Sequence, residues 1–377
     1  MARAALILYA SLLCAMGADE SKRKEPVVFA YLPEWRFHSS DYSTMCAHVT
    51  HLTFFSAEPS PTGDIWGLDR LPKGAALADA RAAAKAHGCK LILCFGGNGR
   101  SSHFSSVSRS GALRKKFVAA VASLVSEYGA DGVDYNWEYP GFAFGSGYKA
   151  QAEVDADYKG FRQLVKQTRR ALGADAVLTL AYYPDLKQEG NFVALGFERD
   201  VDLFHAMSYD GGGQQHSPFS LAVDTVENAL DTGLDLRKVT IGVPFYGRTS
   251  GSGDWVTYED LVQRHAPLAA QLNTVPDEKG AVVGFNGRDL IAAKTRLAAS
   301  EAAGVMIWEI GQDCRQVAVT RDGTTHGVTC PHGRNSSLLA AITDTLHGVY
   351  NHPQWPARPP RRGATTTPSE NNEVRSA

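Results

Sequence analysis

Residues 131–141 read Asp131-Gly132-Val133-Asp134-Tyr135-Asn136-Trp137-Glu138-Tyr139-Pro140-Gly141, and their alternation is the first feature with chemical content. Val133, Tyr135 and Trp137 interleave with Asp134, Asn136 and Glu138, the two-residue period of a strand whose side chains point to opposite faces. One face is apolar and the other is a polar ladder ending in a carboxylate. If both faces are buried, as in a parallel barrel, that ladder must be hydrogen-bonded, because an unpaired buried polar group costs roughly 2 kcal/mol or more. Pro140 and Gly141 end the strand and leave Glu138 at its C-terminal end, where barrel enzymes hold their reactive groups. Burial and the negative charge of Asp134 behind it are expected to keep Glu138 protonated, which suits a general acid that later acts as a base.

The elements that must position this ladder are legible as eight short apolar or β-branched runs: Val27–Tyr31, Val49–Phe55, Leu91–Phe95, Gly132–Trp137, Val177–Tyr182, Leu203–Met207, Val239–Phe245 and Val305–Trp308. Segments with helical spacing lie between most of them, at Ala75–His87, Ala112–Tyr128, Tyr158–Leu172, Leu221–Leu230 and Arg288–Ala303. Alternating strands and helices imply parallel pairing through right-handed crossovers. Eight units predict an α/β fold of the TIM (β/α)8 type.

Three further motifs join the first. Gly96-Gly97-Asn98-Gly99 follows the third strand, Met207-Ser208-Tyr209-Asp210 ends the sixth, and Val305-Met306-Ile307-Trp308-Glu309 forms the eighth. The glycine run lacks the Gly-Lys-Ser/Thr of a phosphate loop and reads as a strand-end loop with unusual backbone angles. Together these motifs resemble glycoside hydrolase family 18, the chitinase family, whose fourth strand usually carries Asp-Gly-x-Asp-x-Asp-x-Glu. Asn136 stands here where the family has its third aspartate. Cys94 replaces a serine in the family's Ser-x-Gly-Gly element, and Asn98 stands where many members have tryptophan. Gly242-Val243-Pro244-Phe245-Tyr246-Gly247-Arg248 is similar to the seventh-strand motif.

The resemblance implies hydrolysis of β-1,4-linked N-acetylglucosamine polymers or oligomers by substrate-assisted, retaining catalysis, without a cofactor or metal. Glu138, Asn136, Asp134 and Tyr209 would be catalytic. Tyr31, Gly96, Gly97, Tyr139, Met207, Asp210 and Trp308 would bind the sugar, Trp308 as the floor beneath it and Tyr31 as support for the acidic ladder. An asparagine at 136 can accept the acetamido N–H and donate to Glu138, but it cannot supply an anion. Cleavage of the chitobiose core of N-glycans and a catalytically weak chitin-binding, lectin-like role are the alternatives. Only residues 249–304 separate the last two strands, so the α+β insertion many members carry there is expected to be reduced or absent, with a shallower groove.

The 377 residues are 44% apolar and carry 38 Lys+Arg against 40 Asp+Glu, which favours a neutral ligand over nucleic acid or an anionic membrane. A monomer is expected. Arg3, the apolar run Ala4–Met16 and small residues up to Gly17 and Ala18 read as a secretory signal over residues 1–17, too short to span a bilayer. The catalytic domain is expected over 26–350, and the Pro-, Arg-, Thr- and Ser-rich residues 351–377 as a disordered tail. Cys314 with Cys330 is the first expected disulfide and Cys46 with Cys89 the second, leaving Cys94 as a buried thiol. A zinc site from Cys314, His326, Cys330 and His332 is the weaker reading of that loop in a secreted chain. Asn335-Ser336-Ser337 is an N-glycosylation acceptor in a eukaryotic secretory pathway.

Overall fold

The structure, a computed structural model, describes residues 25–318 and 326–350, without the side chains of 316–318 and 326–328. The expected signal, the expected tail and the His326 side chain lie outside the described residues. Eight parallel strands form the centre: β1 (Val27–Pro33), β2 (His51–Pro59), β3 (Lys90–Gly96), β4 (Gly132–Asn136), β5 (Val177–Tyr182), β6 (Leu203–Ala206), β7 (Val239–Pro244) and β8 (Gly304–Trp308). β1 pairs with β2 through Phe29↔His51 and with β8 through Phe29↔Met306, which closes the sheet into a barrel.

Helices return the chain after each strand: α1 (Tyr42–His48), α2 (Gly74–His87), α3 (Gly111–Tyr128), α4 (Gln151–Leu172), α5 (Lys187–Leu195), α6 (Phe219–Thr232), α7 (Arg288–Glu301) and α8 (Leu338–Leu346). Three of them are not among the segments with helical spacing in the sequence. α1 has only seven residues and α5 only nine, and α8 opens with five consecutive apolar residues, which mark no period.

Side-chain parity divides the apolar residues into two layers. Outward residues of β4 meet the helices: Tyr135 packs near Phe117 and Phe161, and Trp137 stacks on Phe104 at 5.3 Å. Phe29, Tyr31, Ile92, Cys94 and Met306 point inward and form a separate cluster inside the barrel, with Trp308 at its edge. Asp134 and Asn136 share that inward parity, so the polar ladder occupies the barrel interior.

Between β7 and β8 the insertion is reduced rather than absent. It is a four-stranded antiparallel sheet of Tyr246–Thr249, Trp255–Thr257, Thr274–Pro276 and Val282–Gly284, with a short helix at Tyr258–Arg264. Cys314 and Cys330 form a disulfide after β8. Cys46 and Cys89 do not form the second bridge expected above; both are buried free thiols in hydrogen-bond contact.

Gly132 marks where β4 and β5 approach too closely for a side chain, since an added Cβ would lie 1.9 Å from the Val177 carbonyl oxygen. Gly132→Ala is therefore expected to lower unfolding stability by at least about 2 kcal/mol, because backbone must shift to admit the methyl group. Urea unfolding of both proteins checks this, and matching midpoints would contradict it.

Candidate active site

Asp134 is fully buried and its two oxygens are spoken for. Oδ2 accepts from the Tyr31 hydroxyl at 2.8 Å, Oδ1 from the Thr179 hydroxyl at 2.7 Å, and the Cys94 thiol also donates to the carboxylate. Burial raises its pKa, and these three donors oppose the rise. The ladder expected from the sequence is therefore tied into the barrel wall on β1, β3 and β5.

Asn136 lies one step nearer the mouth, only 2% exposed. Its side chain donates to the Glu138 carboxylate. Its amide oxygen is buried and meets no donor among the described residues. A buried acceptor left open costs free energy, so this oxygen is available to a donor from the cavity.

Glu138 is half-buried at the top of the ladder and also accepts from the Asn98 backbone N–H. Burial first, and then the charge of Asp210, push its pKa up to about 8. This corrects one expectation: the charge acting on Glu138 is that of Asp210, not Asp134, whose three donors absorb its own.

Gly96 and Gly97 hold the carboxyl's backbone, while Asn98 of the same loop lines the cavity described below. Gly97 N–H donates to the Asn136 carbonyl at 2.6 Å, and Glu138 N–H donates to the Ser101 hydroxyl at 3.0 Å. Gly96 and Gly97 have φ of 109° and 107°, and a Cβ at 97 would meet the Phe55 ring at 2.3 Å.

A cavity of about 280 Å³ opens at this end of the barrel. Glu138, Asn136, Tyr139, Met207, Tyr209, Asp210 and Trp308 line it. Trp308 meets Phe55 edge-on at 4.7 Å and the tilted Tyr31 ring at 5.5 Å. Among the described residues the Tyr209 hydroxyl meets the Met306 sulfur, at 3.7 Å, as a weak acceptor. Tyr31, Asp134, Gly96 and Gly97 are not at the surface of the cavity; they support the groups that are.

The structure adds residues that local pattern could not reveal. Trp35, Phe55, Arg100, Phe144, Tyr183 and Trp255 complete the wall, supplied by six different segments. Arg100 pairs with Glu34 and lies over Phe55 at 5.1 Å. The sulfurs of Cys314 and Cys330 are consumed by their disulfide and are not thiolate ligands for zinc. Asn335 is exposed on a short 3-10 turn, while Ser337 of the same acceptor motif caps α8.

A family model described as "Glycosyl hydrolases family 18" matches residues 27–313. "Probable chitinase 2" of Drosophila melanogaster is 28% identical over 176 residues, which cover 42% of this chain and 35% of that protein. The chain thus spans about a third of that relative's length. "Chitinase-like mite allergen Der f 18.0101" of Dermatophagoides farinae is 25% identical over 415 aligned positions, 96% of this chain and 84% of the allergen. The crystal structure of the chitinase ChiB of Flavobacterium johnsoniae superposes with a TM-score of 0.65 over 87% of this chain and 96% of that one, at 22% identity, a likeness of fold.

The raised proton affinity of Glu138 has a consequence for stability. Its pKa is about 8 when folded against 4.5 for an ordinary glutamate, so the folded state binds the proton more tightly. That stabilisation is complete below pH 4.5 and is lost as pH rises to about 8. Wild type is expected to lose about 2 kcal/mol more than Glu138→Gln between pH 5 and 8.5, allowing for solvent in the cavity. Urea unfolding at the two pH values checks this, and parallel behaviour of both proteins would contradict it.

Proposed function

Because the chain belongs to glycosyl hydrolase family 18, we propose that it hydrolyses β-1,4-linked N-acetylglucosamine chains with the substrate's own acetamido group as nucleophile. The single observation that carries this is the open, buried acceptor on Asn136 beside a protonated Glu138. The carboxylates near Glu138 are otherwise engaged. Asp134 is bound on both oxygens below the cavity, and Asp210 accepts from the Tyr246 hydroxyl at 2.7 Å. A retaining reaction at Glu138 then needs its nucleophile from the sugar.

In this reading a sugar ring rests on Trp308, its acetamido N–H donates to Asn136 Oδ1, and the Tyr209 hydroxyl donates to the acetamido oxygen. Glu138 gives its proton to the glycosidic oxygen while that bond breaks. The acetamido oxygen closes on the anomeric carbon, forming an oxazolinium ion and releasing the shortened chain. Glu138, now a carboxylate, takes a proton from water as the water opens the ring with retention. The cation is balanced here by dipoles from Asn136 and Tyr209 instead of an anion at 136, so the chemical step is slow relative to a site with aspartate. A secretory-pathway location fits the Cys314–Cys330 disulfide. No helix among the described residues is long and apolar enough to cross a membrane.

End-labelled chitooligosaccharides, with products followed by anomeric proton NMR, test this reading. The β-anomer is expected first, and Glu138→Gln is expected to lower turnover at least about 10³-fold. Asn136→Asp is expected to raise turnover about tenfold or more by restoring an anion. Wild-type activity in Glu138→Gln would overturn the assignment. Binding without any cleavage would select the lectin-like reading, and cleavage of a high-mannose glycopeptide in preference to chitin oligomers would select the N-glycan core.

A further inference from the structure

The reduced insertion brings one side chain to the cavity whose packing reaches back to the acid. Its strand Tyr246–Thr249 continues from β7 and pairs with Trp255–Thr257, placing Arg248 opposite Trp255. Trp255 is 41% exposed. Its indole stacks on Tyr246 at 4.1 Å and 11°, and the Arg248 guanidinium lies over the same ring, 4.9 Å from its centroid.

Both residues that Trp255 touches are neighbours of Asp210. The Tyr246 hydroxyl donates to Asp210 at 2.7 Å, and Arg248 Nε lies 3.7 Å from the same oxygen. His216 closes the group from the other side. Its Nδ1 accepts from the Asp210 backbone N–H at 3.3 Å, and its Nε2 faces the Tyr246 carbonyl at 3.3 Å, which fixes the Nε2–H form. Burial lowers the pKa of His216, so it is neutral beside the carboxylate. Asp210 itself sits at φ 59°, a conformation an aspartate holds only when its surroundings require it.

We propose that Trp255 is a positioning residue for Glu138: by covering Tyr246 and Arg248 it keeps water from Asp210 and holds that carboxylate where its field reaches the acid. This rests on the reading of Glu138 as the acid. The groups facing Glu138 are the Asn136 amide, the Asn98 N–H, Asp210, and the phenols of Tyr139 and Tyr209, with the Cys94 thiol further in. Those facing Asp210 are Tyr246, Arg248, His216 and the phenols of Tyr183, Tyr139 and Tyr209. Arg248 is the one cation among them, and the stack sets its distance from Asp210. Removing the indole admits water between these groups. Water weakens both causes of the raised proton affinity of Glu138, its desolvation and the unscreened charge of Asp210, so the proton leaves at lower pH.

A carbon-13 NMR titration of the unliganded protein, labelled at glutamate carboxyls, reads this directly, with Glu138 assigned by its absence in Glu138→Gln. Trp255→Ala is expected to lower the Glu138 midpoint by about one pH unit. Trp255→Phe, which keeps an aromatic face over Tyr246, should retain most of the wild-type value. In an Asp210→Asn background the same Trp255→Ala change should have little further effect, because its route to Glu138 is gone. If Trp255→Ala does not fold, Trp255→Leu, which has bulk but no stacking face, is expected to give the same downward shift. An unmoved midpoint, or an equal shift with Asp210 already neutral, would overturn the proposal. The titration follows a proton and not sugar cleavage, so a protein that only binds sugar would still decide it.

Discussion

A carboxylate with no access to water can persist inside a barrel only if the barrel wall hydrogen-bonds it, and Asp134 is the group on which the rest of this interior depends. Tyr31 on β1, Thr179 on β5 and Cys94 on β3 converge on it, so three strands of the wall are bound to one charge. Tyr31 in turn packs against Trp308 at the mouth. The strand period carries the same order upward, from Asp134 through Asn136 to Glu138, and each step is more exposed than the last. A core of this kind trades apolar packing for direction, since every group in the ladder has its orientation set by a partner.

The consequence for chemistry is a division of labour between charge and dipole. Asp134 spends its charge on its own donors, whereas Asp210 faces the cavity and acts on Glu138. The neutral amide at 136 separates the two. It provides one donor to the acid and one acceptor toward the cavity, which suits recognition of an acetamido group. What it lacks is the ability to answer a positive charge with a negative one. In the proposed reaction the same site would orient the sugar fully but stabilise its oxazolinium less.

Much of the barrel was legible in the sequence because its signals are local. Alternation in 132–137 separates the two faces of β4, and the apolar runs mark the other strands to within a few residues. The helix ending at Leu172 begins at Gln151, seven residues before its apolar pattern, because its first two turns offer a single large apolar residue, Val154, and so no period. α1 and α5 were not legible because they are short, and α8 because its first five residues are all apolar and mark no period. Within the site, Glu138, Tyr209 and Trp308 could be placed from strand-end motifs. Trp35 and Trp255 could not, since their relation to the acid arises only when the loops of distant strands converge. The same limit misdirected the expected source of charge: Asp134 is near Glu138 in sequence, but Asp210, 72 positions away, is the one whose charge raises its proton affinity.

The central claim is that the attacking atom belongs to the substrate. Turnover of aryl chitobiosides in which the acetamido methyl next to the scissile bond carries none, one, two or three fluorines measures this most directly, because fluorine withdraws electron density from the acetamido oxygen while leaving its shape nearly unchanged. The account predicts a steep fall in kcat along the series, about tenfold or more per fluorine. A kcat independent of fluorine content would contradict it and would place the nucleophile on the protein.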